Sequence, residues 1–83
     1  MFKANIYVTL KEGVLDPQGE AVRKSLHVLD YRGVEAVRIG KFIEVWLDEA
    51  DEDAARQQVA EMSDKLLANP IIEDFRVEMT EVE

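Results

Sequence analysis

Two cations flank a tight glycine turn at Arg38-Ile39-Gly40-Lys41, an arrangement able to grip a carboxylate or a phosphate, or simply to solubilise a hairpin tip. Lys11 and Glu12 offer a second, weaker pair. His27 is the single histidine and there is no cysteine, so multi-histidine metal sites, thiolate nucleophiles, disulfides and cysteine-ligated metals are excluded. His27 directly follows an apolar position, Leu26, and reads as a helix-face side chain rather than a lone acid–base group. Ser25 and Ser63 are the only serines, and neither lies in a Ser-x-x-Lys or Gly-x-Ser-x-Gly setting. The acidic run Asp51-Glu52-Asp53 suits a helix N-terminus better than a hard cation, because consecutive helical carboxylates point apart. Gly13, Gly19, Gly33 and Gly40 are too scattered to form one phosphate cradle, and no Walker A, dinucleotide or His-Glu-x-x-His motif is present. The chemistry points to a binding or scaffolding module, not to an enzyme by itself.

The elements that must position these residues follow from periodicity. Residues 4–10 alternate, with Ile6, Val8 and Leu10 on one side and Asn5, Tyr7 and Thr9 on the other, as in a half-buried strand. Asp16-Pro17 opens a helix: the Asp caps free amides, and proline at the first position forfeits no hydrogen bond. Val22, Leu26 and Leu29 follow at helical spacing, and Gly33 is the expected exit turn. Val34 to Ile39 and Phe42 to Leu47 read as two strands joined at Gly40-Lys41. A second helix starts in the acidic run, carries Ala55, Val59, Met62 and Leu66 as its buried stripe, and stops at Asn69-Pro70. Ile71 to Met79 alternates again, with Phe75, Val77 and Met79 inward. The expected fold is therefore α+β, a ferredoxin-like split βαβ of order βαββαβ, with two helices on one face of an antiparallel sheet.

That arrangement leaves the other sheet face bare. It gathers Tyr7, Phe42 and Trp46 beside Asn5, Thr9, Arg38, Glu44 and Arg76. Clustered aromatics on an open face favour an interaction surface over scattered surface rings. With 83 residues, 47% of them hydrophobic and 34% charged, the chain reads as one soluble domain (residues 1–83) with a modest core. No apolar run approaches a membrane span, and the start lacks the pattern of a secretory signal, so a cytoplasmic location is expected. The net charge is −8, with residues 1–41 at +2 and residues 42–83 at −10. Such acidity disfavours a nucleic-acid partner.

Three blocks carry a resemblance. Tyr7-Val8-Thr9-Leu10-Lys11-Glu12-Gly13-Val14-Leu15-Asp16-Pro17-Gln18-Gly19-Glu20-Ala21-Val22 comes first. Val37-Arg38-Ile39-Gly40-Lys41-Phe42-Ile43-Glu44 follows, then Leu66-Leu67-Ala68-Asn69-Pro70-Ile71-Ile72-Glu73-Asp74-Phe75-Arg76-Val77-Glu78. In this order they resemble the PurS family, the small subunit of phosphoribosylformylglycinamidine synthase. Asp30, where a small residue such as Gly is expected, and the bulky Trp46 depart from the family pattern.

The resemblance implies a non-catalytic role in purine biosynthesis. The complex would convert formylglycinamide ribonucleotide, glutamine and ATP to formylglycinamidine ribonucleotide, glutamate, ADP and phosphate. ATP and Mg would be used by the complex, with no cofactor bound by this chain alone. The implied partners are a glutaminase subunit (PurQ), a synthetase subunit (PurL) and further copies of the chain as a dimer or tetramer, with neither nucleic acid nor membrane. Tyr7, Phe42 and Trp46 are the candidate self-association residues, and Arg38, Lys41, Asn69 and Pro70 the candidate contacts to the catalytic subunits. The competing reading is a ferredoxin-like regulatory module that binds a small ligand as a dimer. An RNA-binding module, which would stack bases on sheet aromatics, and a small enzyme rank below it.

Overall fold

Alternation builds the first strand of the computed structural model, which describes residues 1–82. In β1 (Phe2–Leu10), Phe2, Ala4, Ile6 and Val8 are buried while Lys3, Asn5 and Tyr7 stay partly open. β1 is the central strand of a three-stranded antiparallel sheet, flanked by β2 (Lys41–Leu47) and β3 (Glu73–Glu81). Ile43, Val45 and Leu47 from β2 and Phe75, Val77 and Met79 from β3 lie on the same side as Ile6 and pack around it.

Helix α2 (Glu52–Met62) covers this side through Ala55 and Val59, both fully buried. Asp51 caps it, its carboxylate accepting from the Ala54 N–H at 3.2 Å, and Glu52 and Asp53 complement the helix dipole as expected. The helix then widens into a π-helical turn, Ser63–Leu67, in which the Ala68 N–H donates to the Ser63 carbonyl at 2.8 Å. Adding a residue to a turn rotates the later side chains about the helix axis by roughly 100°. Ser63, Leu67 and Ala68 consequently face the core, and Leu66, expected inside, is 82% exposed. The Ser63 hydroxyl is satisfied within the core by donating to the Val59 carbonyl at 2.8 Å.

The α+β class and the split strand–helix order are as expected, but three strands form rather than four. Residues 34–40 are extended and join no ladder. Two backbone contacts hold them elsewhere. The Ile39 N–H donates to Asp16 Oδ2 at 2.9 Å, and Gly19 lies so close to the Val37 carbonyl that no side chain fits between them. A hairpin with β2 would also need at least a two-residue loop, and Lys41 is already paired with Val8.

Helix α1 (Pro17–Val28) begins as the sequence indicates: Asp16 Oδ1 accepts from the Gly19 N–H at 2.8 Å and Pro17 follows the cap. Its exit differs. Asp30, not Gly33, takes the left-handed conformation at φ 75°, and the Asp30 and Tyr31 N–H groups bond back to the His27 and Leu26 carbonyls at 3.0 and 2.9 Å. Asp30→Gly should therefore raise stability by roughly 0.5–1 kcal/mol, because glycine holds that conformation without Cβ strain. A thermal midpoint at or below the parent value would contradict this.

The second expected helix cover is absent. Gly19 is the only buried residue of α1, and Val22 and Leu29, placed on a core stripe by periodicity, are exposed. The chain is 50 × 28 × 14 Å, with a radius of gyration of 16.3 Å. A compact chain of this length would measure about 12 Å. Helix α1 and residues 29–40 form an arm beside the sheet rather than a layer upon it.

Candidate assembly interface

The outer face of the sheet is organised in cross-strand rows. Phe42, Tyr7 and Arg76 form one, Glu44, Asn5 and Glu78 the next, and Trp46, Lys3 and Thr80 the third. The Tyr7 and Phe42 rings meet at 5.1 Å between centroids and a 33° tilt. The Arg76 guanidinium lies 4.4 Å from the Tyr7 centroid, and Lys3 Nζ lies 5.2 Å from that of Trp46. Each cation is also tied to a carboxylate at 2.5 Å, Lys3 to Glu44 and Arg76 to Glu78. Asn5 Oδ1, in the middle row, is buried without a hydrogen-bond partner.

The three aromatics proposed from sequence thus share one face. Tyr7 and Phe42 touch, whereas Trp46 stands two rows away. Arg38, expected on this face, is elsewhere because its strand does not form. Lys3 was missed, although it continues the odd-numbered alternation of Asn5 and Tyr7.

The four residues proposed as partner contacts divide. Lys41 Nζ donates to the Leu67 carbonyl at 3.2 Å and lies 3.7 Å from the Glu73 carboxylate. That carboxylate also accepts from the Asn69 N–H at 2.7 Å, while Asn69 Oδ1 accepts from the Ile71 N–H at 3.1 Å. Lys41 and Asn69 therefore converge on Glu73, a residue for which the sequence held only a generic charge signal. Pro70 lines an open cleft of about 350 Å³ with Asp64, Phe75 and Lys11. Arg38 is at the far side of Gly40, near Asp16.

Asp16 fastens α1 to the extended segment, and its two backbone donors, first Gly19 and then Ile39, hold its carboxyl below the ordinary value of 3.8; Arg38 adds to this. The folded carboxylate binds its proton less readily than the unfolded one. The stabilisation is therefore fully present above about pH 4 and is lost as pH falls through the lowered folded value. Asp16→Asn should flatten this acid-side decline in unfolding midpoints measured from pH 6 downward; parallel curves for parent and variant would refute it. His27 has a structural place, its Nε2 lying 2.7 Å from the Val34 carbonyl.

Among the described residues, no group of three or more His, Asp or Glu could hold a metal ion, and no helix is long and apolar enough to cross a membrane. The open sheet face bearing cation-capped aromatics and the helical arm with its exposed apolar side chains are the surfaces this fold leaves available for association. Comparison with known proteins gives this fold its identity. Residues 3–81 match the family described as PurS: Phosphoribosylformylglycinamidine (FGAM) synthase. The Bacillus subtilis phosphoribosylformylglycinamidine synthase subunit PurS is 51% identical over 82 residues, covering 99% of this chain and 96% of that protein. The crystal structure of Methanocaldococcus jannaschii PurS superposes with a TM-score of 0.89 at 36% identity, covering both chains completely. A chain of the PurLQS structure from Thermotoga maritima superposes with a TM-score of 0.87 at 29% identity, over 95% of this chain and 96% of that one. This chain belongs to the PurS family of phosphoribosylformylglycinamidine synthase subunits.

Proposed function

We propose that this chain is the small, non-catalytic subunit of a cytoplasmic phosphoribosylformylglycinamidine synthase, a glutamine-hydrolysing ligase complex of purine biosynthesis. It joins a PurQ-type glutaminase and a PurL-type synthetase, so that ammonia released by one is captured at the formylglycinamide ribonucleotide bound by the other. ATP and Mg serve the synthetase and are not held by this chain. The observation that carries the reading is family membership along residues 3–81, with a relative assembled as PurLQS.

The outer sheet face, with Tyr7, Phe42 and Trp46, serves self-association. A partner could also supply the donor that Asn5 Oδ1 lacks. Arg38, Lys41, Asn69 and Pro70 face the catalytic subunits. Lys41 is engaged internally, so reversing its charge would disturb Glu73 as well; Arg38→Glu is the cleaner probe. It should weaken synthetase binding about tenfold in calorimetry, and unchanged affinity would remove Arg38 from the interface. Trp46→Ala should lower the molecular mass seen by light scattering at low concentration, and an unaltered mass would take the ring out of the self-association surface.

The primary test is glutamine-dependent formation of formylglycinamidine ribonucleotide by the matching synthetase and glutaminase. Activity should depend on adding this chain. Equal activity without it would overturn the reading.

A further inference from the structure

We propose that the cleft beyond the end of α2 receives an arginine side chain from a catalytic subunit of the synthase, its guanidinium held between Asp64 and Asp74. The inference rests on the partner contact proposed above, which includes Pro70, and names the chemistry on its other side. Three observations carry it. First, the cleft of about 350 Å³ has an apolar floor below a charged rim. Ala68 is buried and Phe75, packed against the core, is half-buried, whereas Asp64 and Asp74 are exposed. The space is open. It fits a side chain delivered by another protein better than a small ligand, which a pocket normally encloses over most of its surface.

Second, the two aspartates are available to a new partner. Asp64 enters no ion pair among the described residues, and Asp74 meets only Lys11 Nζ, at 4.0 Å, beyond hydrogen-bond reach. Glu73, which also borders the cleft, is committed elsewhere. Its carboxylate accepts from the Asn69 N–H at 2.7 Å and lies 3.7 Å from Lys41 Nζ. The Ile72 and Glu73 N–H groups close the turn on the Asn69 carbonyl at 3.2 and 2.7 Å. Pro70 and Asp74 are therefore held in place before any partner arrives.

Third, the surroundings suit arginine rather than lysine. A guanidinium is planar, presents a fork of donors to carboxylates and is weakly hydrated, so it tolerates an aromatic and apolar floor that would strip water from an ammonium. Leu66 and Ile71, each 82% exposed, adjoin lining residues in the chain and give the partner apolar surface to cover beside the charge. Residues 42–83 carry −10, which draws a basic segment toward this half of the molecule. The π-helical turn builds the site: Ala68 faces inward as floor, and Asp64 and Leu66 remain outside.

The direct test titrates N-acetyl-arginine amide, at millimolar concentration, into the isotope-labelled chain and follows its amide resonances by NMR. The amides of Asp64, Ala68 and Phe75 should shift, whereas uncharged N-acetyl-norleucine amide should leave them in place. Asp64→Asn combined with Asp74→Asn should abolish the shifts. Lys11→Gln should enlarge them, because it removes the competing internal cation; a site for anions would instead lose its ligand with Lys11. The proposal is overturned by shifts confined to the outer sheet face, by no shift at all, or by loss of binding in Lys11→Gln. Equal shifts with N-acetyl-lysine amide would show a response to charge alone and overturn it as well.

Reconstitution tests the same contact within the complex. The concentration of this chain that gives half-maximal synthase activity should rise at least tenfold for the Asp64→Asn, Asp74→Asn double variant, as expected when a charge-paired anchor is lost from an interface. It should also depend less steeply on salt than the parent's. Both side chains are exposed, and circular dichroism checks that the double variant folds. An unchanged half-maximal concentration overturns the proposal. A parent chain that fails to support activity overturns the synthase-subunit reading instead, and the NMR titration, which uses no activity, separates the two failures.

Discussion

Gly40→Ala is expected to lower the thermal midpoint by about 15 °C, corresponding to roughly 3 kcal/mol in a domain of this size. The cause is steric and lies mainly in the backbone of β1. A methyl group at Gly40 would fall well inside contact distance of the Val8 carbonyl oxygen and also press on the Thr9 methyl. Val8 is fully buried in the central strand and pairs with Lys41, so neither side can retreat without loosening the ladder. The chain leaves the sheet at this point, and glycine is what lets it do so against a carbonyl. Gly13→Ala is the contrasting control. That residue has φ 85° with open space around it, so its cost is confined to local strain of about 1–2 kcal/mol. Denaturant unfolding of both variants measures the difference. Equal midpoints would mean that the close approach at Gly40 relaxes freely.

The same glycine shows how far sequence reasoning reaches. Its position between two alternating runs resembles a hairpin turn, and periodicity alone cannot reveal otherwise. A run such as Val34 to Ile39 becomes a strand only if its backbone finds a ladder, and here Asp16 takes the Ile39 amide instead. That bond links positions 23 residues apart in the chain, with no local signature. The strand β1 and the Asp16-Pro17 start of α1 are legible because their causes are local. Leu66 is misplaced for a different reason: a widened turn shifts the helical phase without changing residue types. The outer-face aromatics group correctly because alternation within β1 and β2 is strict. Arg38 does not, since its grouping depends on the strand that never forms.

Ile6→Ala and Phe42→Ala then separate the two faces of the sheet. Ile6 is the centre of the central strand, fully buried, with Ile43 and Val77 opposite it on either side. Truncation there removes apolar burial and leaves a cavity beneath α2, at an expected cost of about 3–4 kcal/mol. Phe42 sits on the opposite side, 55% exposed and touching Tyr7. Its loss should cost the single chain under about 1 kcal/mol, mainly the ring pair. In assembly the order reverses. In the self-association proposed above Phe42 is covered by another subunit, so its removal would take away buried apolar area at that interface, and the mass at low concentration should fall although the unfolding midpoint of the single chain barely moves. If Phe42→Ala instead unfolds the chain as severely as Ile6→Ala, the outer face is part of the fold's own core and not an assembly surface. If it changes neither stability nor mass, the aromatic row has no role in association. The pairing of a large loss on one side with an association defect on the other is the signature of a sheet that folds on one face and assembles on the other.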